Sequence, residues 1–297
     1  MANTFGNKWS FTSFGESHGV AIGGVLDGVP AGLRIDLAMI REELMRRSQG
    51  GSIRAKNEPD GVEWLSGVLD GVTLGTPIAF IIRNKDARPE DYEYLKHTYR
   101  VGHADKVYEQ KYGIRDWRGG GRASARETAA RVVAGSIAKQ DLAEKGISIH
   151  AELVQVGAET DPAKFSDTIA TYQQEGDSIG GIIECHITGL PVGTGEPIFD
   201  KLQAHLAYAV MSINACKGFE YGTGFGGVGQ PGSVINAISG GISGGISDGT
   251  EIVFRCVFKP TPSTPKAGVK GRHDACVAVR AVPVVEAMTA LSLVQFL

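Results

Sequence analysis

Apolar and polar positions along this chain follow a recurring order of strand-like and helix-like segments. The run Val20–Gly32 is apolar and ends in a Pro/Gly turn, as a β-strand does. The segment after it spaces its apolar residues along one helical face, with Asp36 suited to the N-cap. Residues 62–84 predict two strands around a glycine-rich turn, and Ser124–Lys145 predicts a long helix with an apolar stripe.

The second half of the chain repeats this order of patterns. Four of its segments echo those of the first half in the same order: 178–193, 199–213, 245–258 and 272–291. Such a series predicts a duplicated unit of about 150 residues. We expect one domain, residues 1–297, built from pseudo-repeats at approximately 1–150 and 151–297, with a boundary near 147–164 and a site where they meet. Because the strands come in adjacent pairs, the pattern favours an α+β fold over a βαβ Rossmann fold.

Composition and charge narrow the classes of function. The 297 residues are 42% hydrophobic with a net charge of −3, which suits a globular protein and gives no overall case for binding nucleic acid or membranes. The four cysteines show no CxxC spacing, so a metal or redox motif is not indicated. The N-terminal MANTFGNKWS has no apolar signal core, and no run approaches a membrane span. We therefore expect a cytoplasmic protein.

The segment WRGGGRASARET joins three glycines to a helix start. Ser124 and Glu127 form the S-x-x-E pattern of a capping box, in which each side chain accepts from the other residue's amide. Gly119–Gly121 allow the backbone to fold tightly onto this start, where free amides favour an anion. Arg122 and Arg126 add planar cationic donors suited to phosphate. A structural loop beside a solvated helix face explains the same residues about as well.

Several polar residues in glycine-bracketed turns are candidates for chemistry, each with a structural alternative. His18 follows Ser17 in FGESHG, and His103 precedes an acid in GHAD, where an imidazole can titrate near neutral pH. Histidines in such loops also serve structure alone. Asp274 in GRHDAC fits an acid beside a site or a helix N-cap, and Asn214 fits a site or a helix C-cap. The loop FKPTPST suits phosphate binding or a rigid turn.

Taken together, the motifs resemble one family over nearly the whole chain. FGESHG, GHAD, KYGIRDWRGGGRASARET, MSINACKGFEYGTGF, GGISDG, FKPT and GRHDACVAVRAVPVVEAM occur in the order typical of the chorismate synthase family. The resemblance implies a β-α-β sandwich with helices between antiparallel sheets, usually assembled as a homotetramer. It also implies the final step of the shikimate pathway, which supplies aromatic amino acid biosynthesis. In that step 5-enolpyruvylshikimate 3-phosphate loses phosphate by anti-1,4-elimination and gives chorismate, in the presence of reduced FMN.

The resemblance also implies roles for individual residues. His18 would protonate the departing phosphate, His103 would protonate the reduced flavin or maintain its charge state, and Asp274 would assist removal of the substrate proton. The positions that match the family's flavin-binding residues are Arg122, Ala123, Ser124, Asn214, Ala215, Gly244, Lys259, Pro260, Thr261, Pro262, Ser263 and Arg272. The positions that match its substrate-binding residues are Ser17, Arg47, Arg54, Arg100, Arg126 and Arg272. No metal is implied, and NADPH serves some members as the reductant of FMN.

The chain departs from the family pattern by being short at three loops, RRSQGGSIRAKNEPD, GQPGSVINAISGGISGG and PSTPKAGVKGRHD. These departures leave the match of Arg54 open and place Asn236 one position from the asparagine of the family. A homologue that binds phosphorylated metabolites without catalysis is the competing interpretation. The presence of His18, His103 and Asp274 favours the enzyme. An RNA-binding protein would need basic residues beyond one segment and interleaved aromatic residues, neither of which is evident.

Overall fold

Two antiparallel sheets enclose a layer of helices in the computed structural model, which describes residues 3–48, 60–85, 87–235, 240–269 and 274–297. The strands in chain order are β1 (Thr4–Phe5), β2 (Ser10–Phe14), β3 (Ala21–Asp27), β4 (Val62–Trp64), β5 (Val68–Leu69), β6 (Val72–Thr73), β7 (Ile78–Arg83), β8 (Ser148–Val156), β9 (Gly181–Thr188), β10 (Cys216–Tyr221), β11 (Ile242–Ser243), β12 (Ile246–Ser247) and β13 (Ile252–Phe258). The first sheet has the order β1-β2-β3-β7-β4, the second has the order β10-β13-β9-β8, and β5-β6 and β11-β12 form small hairpins.

The α-helices are α1 (Leu37–Ser48), α2 (Asp105–Tyr112), α3 (Thr128–Glu144), α4 (Phe165–Gln174), α5 (Leu202–Met211), α6 (Gly232–Ile235) and α7 (Ala278–Leu293). Short 3₁₀ turns occupy Pro89–Lys96, Gly121–Ala123, Ala125–Glu127, Pro162–Lys164 and Gly224–Gly229. In the described part of the chain, no helix combines the length and the hydrophobicity that crossing a membrane requires.

Each sheet buries one face against the helices because its strands alternate apolar and polar residues. In β7 the side chains of Ile78, Phe80 and Ile82 are fully buried, while those between them are more exposed. The strand β13 alternates in the same way, with Phe254 and Phe258 in the core. The expected arrangement of helices between antiparallel sheets is confirmed.

The central helices α3 and α7 pack closely because small residues lie between them. A Cβ atom on Gly135 would fall 2.3 Å from the Cβ of Ala287, so only glycine fits there. Glu286 of α7 is buried in this layer, and its carboxylate accepts from Arg46 of α1, Lys139 of α3 and the amide of Ala151 in β8. One acid thus links three helices and the second sheet.

The two sheets arrange their strands in the same order. The series β2, β3, β7, β4 of the first sheet corresponds to β8, β9, β13, β10 of the second, with α1 and α5 at equivalent places. This correspondence supports the proposed duplication. The region 147–164 holds the strand β8, which opens the second sheet, in addition to the expected loop.

The start of the long helix differs from its prediction. The helix α3 begins at Thr128 after a 3₁₀ turn, and Ser124 accepts from the amide of Arg126 at 3.3 Å rather than from that of Glu127. The side chain of Glu127 pairs forward with Arg131, four residues on, so the predicted capping box is wrong. The charge of Arg131 at this spacing outcompetes the neutral amide of Ser124 for the carboxylate. The predicted N-cap at Asp36 is confirmed, since its carboxylate accepts from the amides of Ala38 and Met39.

Candidate active site

A cavity of about 840 Å³ opens where the ends of both halves meet. Its wall includes Ser17–His18, the 3₁₀ turns before α3 and the loop before α2 from the first half. The second half contributes Asn214–Ala215, the loop after β13 and the residues before and within the first turn of α7. This volume lies within the range of small-molecule and cofactor sites.

The three glycines Gly119–Gly121 lie beneath the two candidate histidines. A Cβ atom on Gly119 would fall 2.1 Å from the ring of His18, and one on Gly120 would fall 2.8 Å from the ring of His103. All three glycines also have positive φ, which side chains disfavour. The glycine run therefore brings both imidazoles onto one stretch of backbone.

His18 is held by its neighbours at the cavity wall. Its Nδ1 lies 3.0 Å from the hydroxyl of the buried Ser17, and its ring meets Tyr92 edge-on at 4.8 Å between centroids. The amide of Ser17 donates to the carbonyl of Gly121 at 3.4 Å, which ties the FGESHG turn to the glycine run.

His103 belongs to a buried ionic group with Arg100 and Asp105. Its Nδ1 lies 2.8 Å from Oδ1 of Asp105, and Arg100 donates to both oxygens of the same carboxylate at 2.8 Å. Burial alone would raise the pKa of Asp105, but hydrogen bonds from Arg100 and His103 hold it well below its usual range. The Nη2 of Arg100 lies 3.2 Å from the same Nδ1, so Asp105 and Arg100 together orient the imidazole of His103 through this ring atom.

The entrance to α3 presents Arg126 to the cavity. Its Nη1 donates to both oxygens of Asp60 at 2.7 and 2.6 Å, and its Nε donates to Asn84 at 3.0 Å. The neighbouring Arg122 donates to the hydroxyl of Ser13 at 2.6 Å and does not line the cavity.

Arg47 is a deeply buried cation in the cavity wall, with a relative exposure of 5%. It donates to the hydroxyl of Thr128 at 3.1 Å and the carbonyl of Ala125 at 2.6 Å, and no described carboxylate forms an ion pair with it. Burial lowers the pKa of Arg47 to about 10, with contributions from the nearby charges of Arg126 and Arg280. It therefore remains charged at neutral pH and favours an anionic ligand.

Asp274 forms an ion pair with Arg280 in the first turn of α7, at 2.9 Å from Nε to Oδ1. Both side chains are largely buried and line the cavity. The pair fixes the aspartate at the edge of the cavity.

The wall from the second half carries three buried polar atoms without a hydrogen-bond partner among the described residues: Oδ1 of Asn214, Oγ1 of Thr261 and Nε of Arg280, the last within ion-pair distance of Asp274. The amide nitrogen of Asn214 donates to the carbonyl of Ala123 at 3.0 Å, which joins the two halves. Ala215 has a φ of +68°, an unfavourable conformation for a residue with a Cβ. Such strain and unmet hydrogen bonds are typical of a ligand site.

Comparison with known proteins identifies the family. The chorismate synthase family model matches residues 9–297. The chain is 46% identical to a chorismate synthase of Christiangramia forsetii over 344 aligned positions, covering 99% of this chain and 97% of the relative. It is also 46% identical to that of Phocaeicola vulgatus, covering 100% and 98%. A crystal structure of a chorismate synthase superposes with a TM-score of 0.81 at 31% identity, covering 98% of this chain and 92% of that one.

The chain belongs to the chorismate synthase family. It is therefore an enzyme, a carbon–oxygen lyase. The alignment with the Christiangramia chorismate synthase spans more positions than this chain has residues, so the relative carries segments that this chain lacks. This agrees with a chain that is short for the family, while the shortening at the three particular loops stays a prediction.

Most residues that match the motifs of chorismate synthases lie around the one cavity. Those in its wall are Ser17, His18, Arg47, Arg100, His103, Ala123, Ser124, Arg126, Asn214, Ala215, Lys259, Thr261, Pro262, Ser263 and Asp274. Arg122, Gly244 and Pro260 do not line it, and Gly244 lies in the turn between β11 and β12. Arg54, Arg272 and Asn236 lie outside the described residues.

Sequence reasoning missed several polar residues of this site: Asp60, Asn84, Tyr92 and Arg280. Arg280 stands six residues from the candidate Asp274, so a search for charges beside each candidate would have found it, just as the acid of GHAD, Asp105, was noted beside His103. Asp60 and Asn84 are far from Arg126 in sequence, and their local patterns indicate only loop residues.

Proposed function

We propose that this chain removes phosphate from 5-enolpyruvylshikimate 3-phosphate by anti-1,4-elimination, gives chorismate, and needs reduced FMN. The observation that carries the proposal is the position of His18 and His103 on one glycine run, in a cavity that also contains buried arginines. A substrate with one phosphate and two carboxylates needs several cations and a proton donor near the leaving oxygen. The chain offers both groups in one place.

The arginines of the cavity account for substrate binding in this proposal. Arg47 is buried without an acidic partner among the described residues, so an anion would meet a cation that is poorly neutralised. Arg126 and Arg100 lie in the same wall and supply planar pairs of donors. We assign the anionic groups of the substrate to these three side chains.

His18 is the proposed acid for the departing phosphate. The hydroxyl of Ser17 and the ring of Tyr92 fix the imidazole, and Gly119 leaves space for it. A positioned imidazole transfers a proton to a leaving oxygen effectively because its ordinary pKa lies near the operating pH. On this assignment the substrate phosphate lies beside His18.

Asp274 is the proposed group that assists removal of the substrate proton, and Arg280 holds its carboxylate in place. His103 is oriented by Asp105 and is proposed to serve the cofactor's charge state. These two groups enter the cavity from different halves of the chain, so a bound ring would lie between them.

The residues of the second-half wall fit FMN. The unsatisfied Oδ1 of Asn214 and Oγ1 of Thr261 are acceptors suited to a polar cofactor, and Lys259 brings a cation to the same wall. With Ala123, Ser124, Ala215, Pro262 and Ser263 they would hold the cofactor. When bound, reduced FMN supplies electron density as the phosphate leaves. The protein's part is to orient the two ligands and exclude water.

The decisive experiment mixes the protein with the enolpyruvyl substrate and chemically reduced FMN without oxygen, and follows phosphate release and chorismate absorbance. We expect both products in equal amounts, since each turnover releases one of each. A folded protein that binds FMN and forms no chorismate would reject the lyase assignment for this substrate. Phosphorylated-ligand binding without turnover would favour the non-catalytic homologue.

The remaining parts of the proposal follow from family membership. We propose a cytoplasmic homotetramer in the shikimate pathway, with no nucleic acid or membrane partner. NADPH is proposed as a reductant of FMN, and oxidation of NADPH by the protein with FMN, in the absence of another reductase, tests this. Sedimentation analysis tests the assembly.

A further inference from the structure

Every nitrogen of the Arg126 guanidinium already donates to a protein acceptor. Nη1 donates to both oxygens of Asp60 at 2.7 and 2.6 Å, Nε to Oδ1 of Asn84 at 3.0 Å, and Nη2 to the carbonyl of Arg83 at 3.3 Å. Both members of the ion pair are largely buried, with side-chain exposures of 16% and 17%. One N–H of Nη2 remains free among the described residues, so an anion forms a two-point contact with Arg126 only if one of these contacts breaks.

The contact to Asp60 is the one that an incoming anion replaces. Asn84 is fixed because its amide group donates to the carbonyls of Glu16 and Gly19, both at 3.0 Å, and Arg83 offers a main-chain oxygen at the end of β7. Asp60 is itself an anion. A ligand anion repels this carboxylate while it leaves the two neutral acceptors in place.

Asp60 also reduces the repulsion between the cations of the cavity when no ligand is bound. Arg126 lies close to the buried Arg47, which has no carboxylate partner among the described residues, and Arg280 adds a third cation to the same wall. Like charges in a partly buried space repel one another strongly. The carboxylate of Asp60 offsets this repulsion until another anion replaces it.

We infer that Asp60 is an internal competitor for Arg126, which neutralises the guanidinium in the empty site and leaves it when an anionic ligand binds. The inference rests on the proposed function for the identity of the physiological anion. Because Arg126 binds an anion through two donors only in the fraction of molecules whose Asp60 has moved away, Asp60 weakens the apparent affinity of this two-point contact by that fraction. Asp60 thus sets the affinity of the anion subsite.

The first test is the variant Asp60→Asn, titrated with inorganic phosphate in a calorimeter at neutral pH and low ionic strength. We expect phosphate to bind about tenfold more tightly than to the unmodified protein, since the loss of a close charge pair is of that order. The matched control is Glu63→Gln, which removes the same charge from the same wall, but from a half-exposed pair with Arg83. We expect its affinity for phosphate to change much less.

The second test is thermal unfolding with and without phosphate. Asp60→Asn should melt below the unmodified protein in the absence of phosphate, and phosphate should raise its melting temperature by the larger amount. Equal or weaker phosphate binding by the variant, or an equal or smaller phosphate-induced rise, would overturn the inference.

A crystal structure of the unmodified protein with phosphate covers the case in which Asp60→Asn does not fold. We expect Nη1 of Arg126 against phosphate and Asp60 displaced, and an intact Asp60–Arg126 pair beside the bound phosphate would refute the inference. These readouts need no turnover. Tight phosphate binding by Asp60→Asn without chorismate formation by the unmodified protein would therefore reject the proposed function and leave the inference standing.

Discussion

At the scale of single residues, the glycine run explains why the two candidate histidines are close together. Gly119 lies under His18 and Gly120 under His103, so a side chain at either position would collide with an imidazole. The sequence predicts flexible glycines before a helix, and the motif resemblance singles out both histidines. Neither pattern indicates that the glycines and histidines touch, because Gly119 and His18 are about 100 residues apart and the helix α2 separates Gly120 from His103.

The variant Gly119→Ala tests this packing. We expect kcat to fall at least about tenfold, because displacement of a reacting group by about 1 Å is costly. The matched control is Gly146→Ala, whose φ of +77° imposes similar backbone strain although no atom lies within 4 Å of the added carbon. Both variants should lose about 1 kcal/mol of stability. Equal kcat values for the two variants would show that Gly119 matters only for backbone conformation.

The histidines themselves give a second prediction at this scale. His18→Ala and His103→Ala should each lower turnover by about a hundredfold or more, the usual contribution of general acid–base groups. FMN binding, followed by flavin fluorescence, should persist in both variants, which separates a chemical role from loss of the site. Unmodified turnover in either variant would refute the role assigned to that histidine.

At the scale of elements, α1, α3 and α7 are linked by one buried acid. Glu286 accepts from Arg46 and Lys139, which also pair with Glu43 at 2.7 Å each. The apolar stripes predict that these helices pack, but the ionic contacts join residues that are distant in sequence and follow from no local pattern. The predicted capping box at the start of α3 is wrong because Glu127 forms an ion pair with Arg131 instead.

The variant Glu286→Gln should be destabilised by about 3 kcal/mol, because two cations lose a buried partner while Glu43 remains. The free energy of urea unfolding measures this loss. The control Glu63→Gln breaks an ion pair whose members are about half exposed, and it should change stability little. Similar losses in both variants would contradict a special contribution from burial.

At the scale of the whole molecule, the cavity depends on both halves of the chain. The hydrogen bond from Asn214 to the carbonyl of Ala123 joins the second-half wall to the entrance of α3. The repeated order of patterns predicts two units that meet at a site, and motif order predicts most of its wall. Asp60 and Arg126 pair across 66 positions of the first half, so this pairing became visible only in three dimensions.

Buried ion pairs also determine how the molecule responds to acid. The pKa values of Asp105 and Glu286 both lie below their ordinary values: in each case burial opposes this, but hydrogen bonds from cationic partners prevail. The unfolded chain therefore binds more protons than the folded one below the unfolded pKa values of about 4. The stability contributed by each carboxylate is complete above that pH and is lost as the pH falls towards the folded value.

Above about pH 5, we expect these two carboxylates to add almost no pH dependence to the free energy of urea unfolding. Below about pH 4 it should fall by up to about 1.4 kcal/mol per pH unit for each carboxylate. Glu286→Gln should remove one such contribution, so the free energy of unfolding should fall less steeply below pH 4. Glu63→Gln should leave most of the fall unchanged, since its ion pair is exposed to solvent. If the free energy of unfolding falls below pH 4 with the same slope in Glu286→Gln and in the unmodified protein, Glu286 releases no proton on folding. The loss of stability in acid would then have to come from other carboxylates.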